Sequence, residues 1–285
     1  MTRRLFVIAL ALAAIGSHAY AQNTDPKTLR VALLPDENGG TIIQNAQPLK
    51  HYLEKALSRN VELVVTTDYS SMIEAMRFGR IEVAYFGPLS YVLARSKSDI
   101  EAFAVGVSKG MPTYTSVVIA SAESGVKSIA ELKGKTIAYG DQASTSSHLV
   151  PRALLEDSGL VANRDYKAVY VGAHDAVARA VETGKVNAGA LSKPIYESLI
   201  KAGKLDATRL RVLAETKPIP NYPIAMQSKL APQLKEQIRS AFLAINDPAI
   251  LKSFRAEGFV ATNDRAYDVL RDTAKVLNLD LAKFQ

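Results

Sequence analysis

No cysteine occurs anywhere in the 285 residues, so stability must come from a buried core rather than from a disulfide framework, which a chain of this length can supply. Nor can a lipid be attached behind the N-terminal segment, and the mature protein is expected to be soluble. A single apolar run, Leu5 to Ile15, is too short to cross a bilayer, and no second one follows. Blocks of Lys and Arg with interleaved aromatics are missing, so nucleic acid is not an expected partner. The four histidines, His18, His51, His148 and His174, show no metal-ligand spacing. Neither a metal nor a cofactor is therefore expected. A Gly-x-Ser-x-Gly elbow is also absent, which argues against a hydrolase built on a strained serine turn.

The short apolar run has a clear use. Arg3 and Arg4 precede it, and Ser17-His18-Ala19-Tyr20-Ala21 ends on small residues at the spacing that signal cleavage requires. Residues 1–21 are thus expected to be an export signal and the mature chain to begin near Gln22. The remaining residues suit one large domain or two smaller ones. The formal charge of +7 drops by two when Arg3 and Arg4 leave. Such a modest excess suits attraction of small anions or simply solubility.

Periodicity organises the rest. Strand patterns at Thr28–Leu34, Val61–Val65 and Ile81–Phe86 alternate with helical patterns at Leu49–Leu57 and Ser70–Phe78, a βαβαβ series that implies a parallel sheet flanked by helices. A comparable series occupies residues 116–202, with helices expected over Ser146–Asp157, Asp175–Thr183 and Pro194–Ala202. Three prolines between Leu213 and Ala225 argue for an extended crossing. The later helical patterns, Pro232–Ile245, Pro248–Arg255 and Tyr267–Leu277, make no further lobe and are expected to pack back on the first one. The expected domains are 22–115 plus 223–285 as lobe one and 116–222 as an inserted lobe two.

The stretch from Tyr139 to Pro151 places Ser144, Thr145 and Ser146 between a strand and a helix. Helix-start amides and three hydroxyls there form a concavity suited to a tetrahedral oxyanion, although the same residues could be an ordinary cap. His148 could donate to an oxyanion or face solvent, and Asp175 could serve as a ligand group or as an N-terminal helix residue. Ser147 either tightens the pocket or faces outward.

The Ser144-Thr145-Ser146 run with His148, Val150 and Pro151 resembles the periplasmic solute-binding proteins of phosphonate and phosphite ABC transporters. Asp68 to Gly79 followed by Glu82 to Pro88, Tyr114 before Ser116-Val117-Val118, and Gly172 to Ala176 fit the same resemblance, which covers nearly all of the mature chain. It implies a periplasmic-binding-protein-like fold of type II: two α/β lobes joined by a hinge, closing on a ligand in the cleft between them. It also implies a monomer in the periplasm that hands its ligand to a membrane permease with its ATPase, and no enzymatic activity. The ligand contacts it implies are Tyr69, Tyr114, Ser144, Thr145, Ser146, His148 and Asp175, with Tyr85 and Tyr91 as weaker candidates.

Within that resemblance an acid at Asp175 would favour a monoanion or an aminoalkyl ligand over a dianion. Lys193 would oppose an ammonium if it faced the cleft, and Glu197 alone could offer a second carboxylate there. Phosphite or a small alkylphosphonate such as methylphosphonate is the expected ligand, with 2-aminoethylphosphonate or phosphate as alternatives. A Ser–His148–Asp175 hydrolase and a sensor partner of a membrane kinase remain the other classes of function.

Overall fold

The computed structural model describes residues 24–281, so the expected export signal at 1–21 lies outside the described residues. β1 (Thr28–Leu33) leads through α1 (Gly39–Asn45) and α2 (Gln47–Leu57) to β2 (Asn60–Val65), α3 (Tyr69–Arg77), β3 (Val83–Tyr85), α4 (Pro88–Lys97) and β4 (Ile100–Val107). After the short β5 (Thr113–Tyr114) come β6 (Ser116–Ser121), β7 (Thr136–Tyr139), α5 (Val150–Asp157), β8 (Lys167–Tyr170), α6 (His174–Glu182), β9 (Ala188–Ser192), α7 (Lys193–Lys201) and β10 (Leu210–Glu215). β11 (Ile219–Pro220) precedes β12 (Pro223–Gln227), α8 (Pro232–Leu243), α9 (Pro248–Ser253), β13 (Gly258–Ala261) and α10 (Asp268–Val276).

The strands make two large sheets, ordered β13-β4-β12-β3-β1-β2 and β10-β6-β9-β7-β8, and a two-stranded one, β11-β5. β1 is parallel to both β2 and β3, as the βαβαβ pattern implies. The sheet is mixed rather than parallel throughout, because the returning strand β12 inserts antiparallel between β3 and β4. β13 then adds antiparallel to the outer edge of β4. Three strands of this sheet, β4, β12 and β13, escape the sequence patterns. β4 is apolar apart from Glu101 and buried on both faces, so it shows no alternation to mark it, while the prolines around β12 mask a strand as a crossing.

Between the two sheets the chain passes twice, and the passages are tied side by side by the antiparallel pair β5–β11. In the second sheet Val117 and Ile119 of β6 face one apolar cluster, and Val118 and Ala120 face another. Alternation on a strand buried on both faces therefore demands helices on both sides. α6 lies so close to β9 that a Cβ on Gly189 would sit 2.6 Å from Val177 Cγ1. The first lobe's core joins Leu29, Leu49 and Leu53 to Ile238 and Phe242 of α8, so the C-terminal helices do pack back on it.

That core also takes in Ala143 and Leu149 from beside the second sheet. The two lobes are thus pressed together across the cleft, in a closed arrangement. Three hydrogen bonds span the same junction: Tyr69 N to Asp141 Oδ2 at 3.2 Å, Leu89 N to Thr145 Oγ1 at 2.8 Å, and His174 N to the Asp36 carbonyl at 2.9 Å.

Candidate functional site

The helix expected over Ser146–Asp157 is broken into a π-turn at Thr145–Leu149 and α5. Pro151 explains the break, since it has no N–H to give the Ser147 carbonyl four residues earlier. That carbonyl accepts instead from Gly140 N at 3.1 Å. The Leu149 amide reaches back five residues to the Ser144 carbonyl at 3.1 Å. The wide turn opens the helix start and fans the hydroxyl run toward the first lobe, in keeping with the use of π-turns at functional sites.

Ser144 caps this turn, its Oγ accepting from Ser147 N at 3.1 Å. Thr145 Oγ1 accepts from Leu89 N at the start of α4. Accepting a bond leaves each hydroxyl its own hydrogen to donate, so capping and ligand contact are compatible. The Tyr69 hydroxyl lies within reach of Ser144; burial, and then the charges of Asp36 and Asp141, push its pKa well above the ordinary value of 10. Tyr114 is raised chiefly by burial and moderated by the nearby Ser146, Tyr222 and Thr145 hydroxyls. Those groups are close, yet no hydrogen bond of good geometry forms to the Tyr114 hydroxyl.

Six buried side-chain polar atoms lack a hydrogen-bond partner among the described residues, and four of them gather at the lobe junction: Asp36 Oδ2, Tyr114 OH, Ser146 Oγ and His174 Nε2. Buried polar atoms are rarely left unpaired, because each costs about 1–3 kcal/mol. Their concentration in one place makes this junction the candidate binding site. α3, α4, the π-turn and α6 all begin here, and the starts of helices favour negative charge.

Asp36 and His174 do not stand out from the sequence. The signal for Asp36 is positional, since it follows β1 at the carboxyl end of a parallel strand, where open α/β sheets bind ligands. Its carboxyl is pushed up to about 6 by burial, against the pull of Arg255. His174 opens α6, and its Nδ1 accepts from Ser192 N at 3.1 Å. Burial lowers its pKa to about 3, so the ring is neutral with its proton on Nε2, a buried donor.

His148, expected at the ligand, is turned elsewhere. Its Nδ1 donates to the Gln142 carbonyl at 2.7 Å and its Nε2 accepts from Tyr170 OH at 3.1 Å. The ring also packs edge-on against Tyr139 and Tyr170. Burial holds it neutral, with a pKa of about 4. Asp175 also departs from expectation: its Oδ1 accepts from the neighbouring Ala176 amide at 2.9 Å, and it lines a cleft-edge cavity with Glu37, Thr41 and Arg179. The carboxylate buried at the junction is Asp36 instead. Ser147 neither faces solvent nor enters the cluster; its hydroxyl accepts from Gly140 N at 2.8 Å and donates to the Ala190 carbonyl, strapping β7 to β9. A Cβ at Gly140 would meet that hydroxyl and the Gly172 carbonyl, each at 2.8 Å. Tyr91 is committed to the first lobe through Asp264.

Outside the cluster a cavity of about 300 Å³ opens between the lobes, and both Lys193 and Glu197 line it. Lys193 Nζ is held by Glu215 Oε2 at 2.6 Å. Tyr85, Tyr114, Tyr222 and Phe254 form the inner wall of this cavity, their rings in a row with neighbouring centroids 4.9 to 5.3 Å apart.

A family model described as the periplasmic substrate-binding protein of phosphonate ABC transporters matches residues 31–267. The phosphate-import protein PhnD of Mycolicibacterium smegmatis is 30% identical over 285 residues, spanning 93% of this chain and 88% of that protein. The phosphonates-binding periplasmic protein of Escherichia coli is 25% identical over 278 residues, spanning 94% and 82%. A solved structure from Prochlorococcus marinus, in complex with methylphosphonate, superposes with a TM-score of 0.83 over 89% of this chain and 99% of that one, at 23% identity. That superposition fixes the fold as the two-lobed, type II periplasmic-binding-protein architecture.

Proposed function

The chain belongs to the family of phosphonate-type periplasmic substrate-binding proteins of ABC transporters, and from that membership we propose that it captures phosphite or a small phosphonate such as methylphosphonate. Family members are binding proteins for phosphorus oxyanions and work with a membrane permease and its ATPase. Relatives named for phosphate import, phosphonate binding and phosphite binding share the tetrahedral phosphorus oxyanion and differ in one substituent or one proton.

The observation that carries the proposal is the set of buried polar atoms without hydrogen-bond partners at the lobe junction. Ser146, Tyr114 and neutral His174 supply donors, and Ser144, Thr145 and Tyr69 can turn hydroxyl hydrogens to the same point. Each bond from a neutral donor to an ionised oxygen contributes about 1.5–3 kcal/mol. The aromatic row of Tyr85, Tyr114 and Tyr222 crowds the phosphorus substituent and favours hydrogen or methyl over a longer chain. The proposed lobes are residues 22–115 with 223–285, and 116–222; residues 1–21 are proposed to direct export.

Titration calorimetry with phosphite, methylphosphonate, 2-aminoethylphosphonate, phosphate and sulfate tests the reading. The first two are expected to bind most tightly. Sulfate or phosphate as the best ligand would overturn it, and a clear preference for the aminoalkyl compound would keep the family function while removing the size argument.

A further inference from the structure

We propose that Asp36 sets the selectivity of this site by sharing one proton with the ligand, so that the protein takes a tetrahedral oxyanion only when either the oxyanion or Asp36 brings that proton, and refuses a fully ionised one once Asp36 is itself ionised. The inference rests on reading the lobe-junction cluster as the ligand site. Asp36 is 4% exposed, and its Oδ2 accepts no hydrogen bond. The nearest cationic group, Arg255 Nη1, stands 3.9 Å away. Its charge reaches the hydroxyls of Tyr69, Tyr85, Tyr114 and Tyr222, which come from four different segments, so the carboxylate faces into the ring of phenols.

Charged and titratable groups around Asp36 can be placed element by element. Its own loop brings Glu37, which is closely paired with Arg255 from the segment after α9. α6 brings Asp175, whose charge also acts on Asp36, and neutral His174. The phenols come from α3, β3, β5 and the segment before β12, and they bring hydrogen-bond donors without charge. Asp36, Glu37 and Asp175 thus oppose Arg255, while Arg179 of α6, at the cleft edge beside Asp175, is paired with Glu182. A dianion would meet an excess of like charge, offset only by neutral donors and helix starts.

Donor and acceptor counting sharpens this. An ionised carboxylate only accepts hydrogen bonds, as does sulfate, so the two would face each other with no hydrogen between them. Monoprotonated phosphite or methylphosphonate offers its P–O–H to Asp36 Oδ2 and its remaining oxygens to Ser146, Tyr114 and His174. If Asp36 holds the proton, it donates the same bond to the ligand dianion. Either way the complex contains one shared proton. The elevated pKa of Asp36, about 6, brings its ionisation close to the second ionisation of a phosphoryl group, about 6.

Calorimetric titration from about pH 5.5 to 8.5, in two buffers of different ionisation enthalpy, reads both affinity and proton uptake. With methylphosphonate the parent should bind ever more weakly as pH rises past the ligand's second ionisation, with up to one proton taken up per ligand at the alkaline end. Sulfate should not bind detectably at pH 8.5, where Asp36 is ionised, and should gain affinity only toward the acid end, where Asp36 carries the proton. Asp36→Asn should flatten the pH dependence and gain at least tenfold in sulfate affinity, because the amide can donate. Parent affinity independent of pH with no proton uptake would overturn the proposal without any variant, as would an Asn variant that still excludes sulfate. Preference for 2-aminoethylphosphonate that disappears in the variant would also overturn it, by giving Asp36 an ammonium to hold. Failure of every phosphorus oxyanion to bind the parent would defeat the site reading itself, and this inference with it.

Discussion

The Leu89 amide donates to Thr145 Oγ1 at 2.8 Å, joining the start of α4 in the first lobe to the middle of the hydroxyl run in the second. One side chain therefore serves both closure and ligand contact. In Thr145→Ala the closed, ligand-bound state loses a partner for a buried amide and a donor to the ligand, whereas in the open, empty protein water can satisfy the Leu89 amide. Affinity for phosphite is expected to fall ten- to a hundredfold, about 1.5–3 kcal/mol, with little change in the melting temperature of the empty protein. Thr145→Ser should restore most of the affinity. If the residue acted only as a structural support, stability would fall and affinity would persist.

Tyr69 stands opposite Ser144 across the cleft, its ring 2% exposed and its amide already bonded to Asp141. Tyr69→Phe keeps the ring in its space and removes only the hydroxyl. Binding should weaken about tenfold while thermal unfolding is unchanged. Small-angle scattering should show ligand-driven compaction of the parent, reduced in the variant at the same subsaturating ligand concentration. Equal affinity in the two proteins would remove Tyr69 from the site.

His148 gives the opposite forecast. His148→Phe leaves the Gln142 carbonyl without its donor and should cost about 1–3 kcal/mol of stability. At a temperature where the variant is folded, its dissociation constant should match the parent's within about twofold. A large loss of affinity with intact stability would return His148 to the ligand.

Stability should fall in acid. Burial holds His148 at about 4 and His174 at about 3, below their ordinary 6.5. Under that value the unfolded chain takes up protons that the folded chain does not, so stability is complete above pH 6.5 and declines toward pH 4. The decline is on the order of 1 kcal/mol per pH unit for each histidine. Asp36 acts in the other direction: raised to about 6 in the fold, it gains a proton before its unfolded counterpart does and becomes less costly to bury on acidification. Two histidines outweigh one aspartate. Urea unfolding across this range should show net acid destabilisation, and Asp36→Asn should stabilise the empty protein at pH 7.5 but not at pH 4.

The helices and parallel strands were legible because their periodicities are local. Leu49 and Leu53 sit at helical spacing on a buried face, and the run from Asn60 to Val65 pairs in register with β1. β12 and β4 were not legible, because each becomes a strand only by pairing with a segment more than a hundred residues away in sequence. The hydroxyl run could be read as an anion nest from its place between strand and helix. His148 is adjacent in sequence to the nest, but its ring is bonded to the Gln142 carbonyl and to Tyr170, a direction that adjacency does not encode. Asp36 and His174 reach the nest through tertiary closure, a relationship that spacing does not encode.

The most direct test of the account is a crystal structure of the protein with methylphosphonate. The phosphoryl oxygens are expected within hydrogen-bond distance of Ser146 Oγ, Tyr114 OH and His174 Nε2, with one oxygen against Asp36 Oδ2 and the methyl group toward Tyr85 and Tyr222. A ligand seated instead in the outer cavity beside Lys109 and Lys193, with those four buried atoms still unpartnered, would contradict it.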